Sequence, residues 1–347
     1  MYKRIFAAAA SLSFLLATGY NAAASEQFDL KFQSTYASNQ IQTTQVLNPW
    51  TEKVKELSGG SIVINTFPMN AIVKIDEAHH ALQEGLIDLT IMGSPAPKEA
   101  PYMFMAALPG AVKGPRHGSL YSKKLYETVP EFKNEIDRYG VPFGFYSPAN
   151  TVIVSVNTPI RSLADLKGKR VLVPLAADSK MIEAWGGIPV MITPPDAYVG
   201  LQRGMGECMF TPIPMVKMMR LMEVVKYATR VPGRVGTMVF AVNRDLLEKE
   251  FDDSQREAFW KASEGLGLKL ADTLESDTTD VLEMCKKDYG VEIIDLSADQ
   301  YKEFSDRNMA LVDSYYKPML KELGISGDVD EWIKKIYEIS DSIVDNK

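Results

Sequence analysis

Asp29-Leu30-Lys31-Phe32-Gln33-Ser34-Thr35 and Ser61-Ile62-Val63-Ile64-Asn65-Thr66-Phe67 are the two stretches that decide the fold class. In the first, Leu30 and Phe32 alternate with polar neighbours, which is the period of a strand. In the second, Ile62, Ile64 and Thr66 fall on one side and Val63 and Phe67 on the other, so both faces suit a sheet covered on two sides. Between them, Ile41 to Leu57 puts Val46, Trp50, Val54 and Leu57 on one helical face, and Gly59-Gly60 ends the run. Ile75 to Gly85 reads as a second, short helix and Ile87 to Met92 as a third strand. Strand–helix–strand–helix–strand order predicts a parallel sheet with crossover helices, hence a doubly wound α/β domain.

Further along, a second α/β unit starts near Thr151. Val152 to Val156, Arg170 to Val173, Val190 to Ile192 and Cys208 to Phe210 have strand character, while Ser179 to Trp185, Asp196 to Arg203 and Pro214 to Ala228 have helical character. Thr237 to Asn243 is an apolar strand that returns the chain to the first sheet. Ser254 and Glu257 have the spacing of a capping box, and no proline follows until beyond Tyr289. A helix of about 35 residues would reach ~50 Å, longer than one domain, so it either runs along both domains or kinks near Gly265-Gly267. Ala298 to Asp341 reads as two or three more helices. The expected architecture is two doubly wound α/β domains joined by a hinge, with a long helix spanning both and a helical C-terminus. The expected division is 25–149 plus 237–277 for the first domain, 150–236 plus 278–330 for the second, and 331–347 for a terminal helix and tail.

The N-terminus joins Lys3 and Arg4 to an apolar run from Ile5 to Leu16 and to Ala22-Ala23-Ala24. Such an order is that of a secretory signal peptide over residues 1–24, cleaved after Ala24, and it implies a periplasmic location. The formal charge is −7, and −9 once Lys3 and Arg4 are removed. No basic patch interleaves with aromatics, so nucleic acid is not an expected partner. Cys208 and Cys285 are too few and too far apart for a disulfide framework; two buried thiols or a single bridge both stay open.

A search for chemistry returns little. Of three histidines, His79 and His80 are adjacent on a helix, about 100° apart, and are not expected to share a ligand site; His117 stands alone. There is no His-Glu-x-x-His, no Cys-x-x-Cys pair, no Gly-x-Ser-x-Gly elbow and no phosphate loop. No metal, cofactor or catalytic residue is expected, and the chain reads as a non-enzyme. Met215, Met218, Met219 and Met222 form one helical stripe, read as core packing and not as a Cu(I) site because no His or Cys joins them.

Pro159-Ile160-Arg161-Ser162-Leu163-Ala164-Asp165-Leu166-Lys167-Gly168-Lys169 followed by Val173-Pro174 resembles the central signature of DctP-type solute-binding proteins of tripartite ATP-independent periplasmic (TRAP) transporters. Pro189 to Pro212, with Tyr198, Leu201-Gln202 and Gly204, resembles the following segment, and Leu57 to Gly60, Phe67-Pro68, Leu82, Gly85, Asp88 and Leu108-Pro109 the first domain. The resemblance implies a two-domain receptor that closes on a small solute and delivers it to membrane permease subunits without a cofactor; a monomer is the default expectation. An exported enzyme and a ligand-sensing subunit are the alternatives. The family's arginine clamp on a ligand carboxylate corresponds to Leu172, a second arginine to Val152, an asparagine to Thr211 and an aromatic contact to Pro194. The usual clamp is therefore expected to be absent. Either another cation, Arg234 or Lys180, holds an anion, or a neutral, aromatic, zwitterionic or amine ligand rests on Tyr36, Tyr146, Phe210 and Tyr198. The candidate ligand-binding set is Tyr36, Ser94, Tyr146, Leu172, Phe210, Thr211, Arg234 and Thr237.

Overall fold

A computed structural model of the chain describes residues 26–344 except 149 and 175, so the signal-peptide reading of residues 1–24 lies outside the described residues. Strands β1 (Phe28–Gln33), β2 (Ile62–Phe67), β3 (Leu89–Met92) and β4 (Val141–Tyr146) come first. There follow β5 (Thr151–Ser155), β6 (Arg170–Val173), β7 (Ile188–Met191), β8 (Cys208–Pro212), β9 (Tyr227–Val231), β10 (Met238–Val242) and β11 (Glu292–Asp295). They form a five-stranded sheet in the order β2-β1-β3-β10-β4 and a six-stranded sheet in the order β11-β9-β5-β8-β6-β7. Each sheet is the centre of one lobe.

The quoted stretches pair in parallel, Phe28 opposite Ile62 through Gln33 opposite Phe67, and β3 joins β1 in parallel on its other side. Both sheets nevertheless contain one reversed strand. β10 is antiparallel to β3 and β4, and β5 is antiparallel to β8 and β9. These are the strands laid down directly after the chain changes lobe, so each lobe is completed by a strand that arrives from the other.

Alternate side chains enter different layers. Phe240 and Val242 of β10 join Trp50, Val54 and Phe259 on one face, whereas Val239 and Ala241 join Leu125, Phe132 and Ile136 on the other. Trp50 stacks on Phe143 at 5.3 Å between ring centroids and meets Phe32 edge-on at 5.4 Å. In the second lobe Val152 and Val154 face the layer holding Leu172 and Met209, and Ile153 faces Trp185 and Phe210. Burying each large side chain contributes roughly 1.5–3 kcal/mol.

The long helix is interrupted and also spans both lobes. A first helix, Asp253–Ser263, is capped by Asp252 and Gln255 instead of Ser254 and Glu257. Gly265 takes φ +72°, and a helix of 24 residues, Leu266–Tyr289, follows for about 36 Å. Its start packs on β4 and helix Pro115–Thr128 in the first lobe, and its end on helix Ile213–Met218 and β11 in the second. A side chain at Gly267 would stand 2.1 Å from the Phe145 carbonyl oxygen, so only glycine lets the helix lie this close to β4.

Other expectations are revised. The helix expected over Pro214 to Ala228 stops at Met218; Arg220 turns left-handed at φ 54°, and Tyr227–Val231 pairs as β9 between β5 and β11. Met219 and Met222 are core, while Met218 is exposed. β4 carries Pro142 and Gly144, which hide its alternation; as an edge strand it tolerates the missing donor of Pro142. From Tyr316 onward the chain is not part of the second lobe, since Tyr316, Leu320, Val329 and Ile336 pack into the first-lobe core. Cys208 and Cys285 are free and buried, not bridged. Among the described residues no helix is long and apolar enough to cross a membrane.

Candidate functional site

In sheets of this kind ligands sit beyond the carboxyl ends of the strands, because loops diverge there and leave a crevice. In the first lobe these ends carry Tyr36 after β1, Ser94 after β3 and Ser147 after β4, with Thr237 just before the reversed β10. In the second lobe they carry Thr211 at the end of β8 and Arg234 after β9, with Thr151 opening the reversed β5. Residues 232–237, one of the stretches by which the chain passes between the lobes, run through this region.

The first-lobe wall is phenolic. Tyr36 Oη lies 3.2 Å from Tyr146 Oη, and Tyr146 packs on Phe240 at 5.4 Å. Burial pushes both hydroxyls above the usual phenol range, with Asp277 adding to the effect at Tyr36. Asp277 lies on the long helix where it passes between the lobes and accepts a hydrogen bond from Gln42 Nε2 at 2.9 Å. Ser147 and Thr211 hydroxyls are buried without a hydrogen-bond partner among the described residues.

Arg234 sits between the lobes. Its guanidinium lies 4.6 Å from the centroid of Phe104, a first-lobe ring, and close enough to Asp178 of the second lobe for each to affect the other. Its Nε is buried with no hydrogen-bond partner among the described residues. Burial lowers the Arg234 pKa, and burial pushes the Asp178 carboxyl up to about 6 against the pull of Arg234. Nearer the surface, Met69 of the first lobe and Pro194, Pro195, Tyr198, Met218 and Met219 of the second line a cavity of about 650 Å³.

Residues 32–318 match the sequence model of the family described as DctP, bacterial extracellular solute-binding protein, family 7. The chain belongs to that family. It is a solute-binding receptor and not an enzyme. A curated relative, a solute-binding protein of Roseobacter denitrificans, is 23% identical over 230 residues, 65% of this chain and 69% of its own. The fold matches a marine-metagenome TRAP solute-binding protein specific for aromatic acids, solved with 3-hydroxybenzoate, at TM-score 0.79 and 20% identity over 91% of this chain and 99% of that one. It also matches a Rhodoferax ferrireducens TRAP protein with copurified benzoate (TM-score 0.78, 17% identity, 91% and 98% covered) and one from Roseobacter denitrificans with β-D-glucuronate (TM-score 0.72, 15%, 89% and 99%).

Within this family-7 receptor the structure separates the expected site residues. Tyr36 and Tyr146 meet, as above. Thr237 Oγ1 is engaged by Ser122 Oγ at 2.9 Å, and Ser94 Oγ donates to the Met103 carbonyl at 3.5 Å. Phe210 packs edge-on against Trp185 at 5.9 Å in the second-lobe core. Leu172 is completely buried among Ile192, Ala197 and Leu201, facing Gly200 and Gly206, so it is a packing residue beneath the cleft and not part of its wall. Lys180 is exposed and paired with Glu183 at 2.9 Å.

Sequence reading missed Asp178, Phe104 and Asp277. Only Asp277 left a signal: it falls on the stripe Leu270, Leu274, Val281, where a carboxylate interrupts an apolar face. The histidine reading is also corrected. Rotation about the side-chain bonds brings the two imidazoles to 4.2 Å between centroids, and both Nε2 atoms reach the same Glu99 oxygen, at 3.0 Å from His79 and 3.4 Å from His80. Burial lowers the His79 pKa, and its hydrogen bond holds Glu99 below the usual carboxylate range.

Proposed function

We propose that this receptor is exported to the periplasm, acts as a monomer with the membrane permease of a TRAP transporter, and captures a small organic acid with a planar, aromatic body. Arg234 carries the reading. A buried guanidinium whose Nε lacks a partner costs stability unless something compensates it. Here its Cζ lies over the Phe104 ring, and a carboxylate beside Nε would supply the missing partner. The phenolic pair Tyr36 and Tyr146 adds two linked hydroxyls at the first-lobe strand ends, Tyr146 itself being buried against Phe240. Ligand bound between such groups touches both lobes and favours their closure about the segments that join them. The aromatic acids held by two structural relatives fit this chemistry.

Calorimetry and thermal melting with benzoate, 3-hydroxybenzoate, mandelate, glucuronate, aromatic amines and sulfonates test the proposal. The expected result is saturable one-to-one binding of aromatic acids, a raised Tm and no turnover. A second reading, an amine or zwitterion, rests on the buried carboxylate of Asp277 near Tyr36. Binding confined to amines would favour it and overturn the first. Export is tested by the mass of the periplasmic protein, expected to begin at Ser25.

A further inference from the structure

We infer that His79, His80 and Glu99 form a binding site for a divalent transition-metal ion, with Zn²⁺ as the natural probe, on the rim of the first lobe. Two imidazoles and one carboxylate are the donor set of open zinc sites, in which water fills the remaining position. Four donors about 2.1 Å from a tetrahedral Zn²⁺ stand about 3.4 Å apart. The two Nε2–Oε2 distances are 3.0 and 3.4 Å, and all three ligand atoms lie within 4.8 Å of one another. Closing the widest gap requires only a small rotation of His80, whose side chain is 52% exposed and has room to turn.

The surroundings fix two of the three donors. His79 is 3% exposed and lies against the edge of Tyr139 at 4.7 Å, which holds the ring while leaving Nε2 pointed at Glu99. Arg138 donates to the backbone carbonyl of Glu99 at 3.2 Å, steadying the residue without occupying its carboxylate. Asp76 adds negative charge nearby. The thiols do not compete, since burial pushes Cys208 up to about 12 and Cys285 up to about 11.

The position gives the ion a role. Glu99 ends the segment that leaves β3 through Ser94, and His79 and His80 follow the segment that leaves β2 through Met69. The second segment is already tied to β1 by Gln33, whose Oε1 accepts from Ile72 and Val73 at 3.3 and 2.8 Å. An ion across Glu99 would bind these two segments together.

Titration of tag-free, chelator-stripped protein with Zn²⁺ is the test, with Co²⁺ absorption as a second readout. One-to-one binding is expected, with visible bands of a four- or five-coordinate nitrogen and oxygen site. Zn²⁺ should raise the Tm of the wild type. His80→Ala and Glu99→Gln alter half-exposed groups, so the metal-free variants should melt as the wild type does. Each should bind Zn²⁺ roughly tenfold or more weakly, no less than the loss seen when a group supporting a ligand is removed. Wild-type protein that fails to saturate at millimolar Zn²⁺, or variants that bind as tightly as wild type, would overturn the assignment.

Discussion

Position 172 and position 234 treat charge in opposite ways. Leu172 lies inside β6, sealed in the second-lobe core under Gly200 and Gly206, where the family resemblance places an arginine. Arg234 lies outside any strand, on the segment crossing from β9 to β10, and is buried with an unpartnered Nε among the described residues. The difference teaches that a cation moved from the sheet to the connection between lobes changes what it is coupled to. A ligand held at β6 grips one lobe. A ligand held at Arg234 would touch a segment that joins the two lobes.

The largest effect expected is from Leu172→Arg. Restoring the family residue into this packed site buries an unpaired charge, and thermal melting should show a loss of about 3–5 kcal/mol instead of a gain in carboxylate affinity. A stable variant that binds carboxylates more tightly would break the contrast. Arg234→Ala should weaken aromatic-acid binding by about 100-fold in calorimetry, close to 3 kcal/mol, with Arg234→Lys intermediate because it keeps charge but loses the two-pronged geometry.

Asp178 sharpens the comparison through pH. Its folded-state pKa of about 6 lies above that of a free aspartate, so the folded protein keeps a proton that the unfolded chain has released. Stability from this group is greatest at acid pH, declines as pH rises, and levels off above 6. Asp178→Asn should flatten melting between pH 4 and 6 by about 2 kcal/mol, a shift of roughly two pKa units being worth that order. Anion affinity should also be higher below pH 6, where a neutral Asp178 no longer competes for Arg234. The smallest effect belongs to Lys180→Ala. Its exposed pair with Glu183 predicts a change within about 0.5 kcal/mol in stability and none in affinity.

The fold was legible where burial on both faces leaves an unbroken apolar signal, as in β2, and where crossover helices separate the strands. It was obscured where tertiary pairing overrides local preference. The methionine-rich run after Pro214 looks helical, but Tyr227 to Val231 is drawn between β5 and β11. Pro142 hid β4 because an edge strand can dispense with a donor that a central strand needs. At the site, Tyr36 and Tyr146 were named as aromatic candidates and Thr211 through the family resemblance, and all three lie at strand ends. The neighbours of Arg234 were not legible: Phe104 and Asp178 come from helices of different lobes, and only the folded chain puts both beside it. Adjacent histidines misled because backbone spacing fixes the Cβ atoms and leaves ring rotation free.

The reversed strands also set an order of assembly. β10 stands between β3 and β4, so the first sheet stays split until the chain has travelled through the second lobe and come back. Until residue 242 is in place, β3 and β4 have no shared neighbour, and each exposes an edge able to pair wrongly. Contacts this distant in sequence form slowly. A fragment ending before β10 would thus be an unfinished sheet and not an independent lobe, and the two halves of the receptor reach their native form together or not at all.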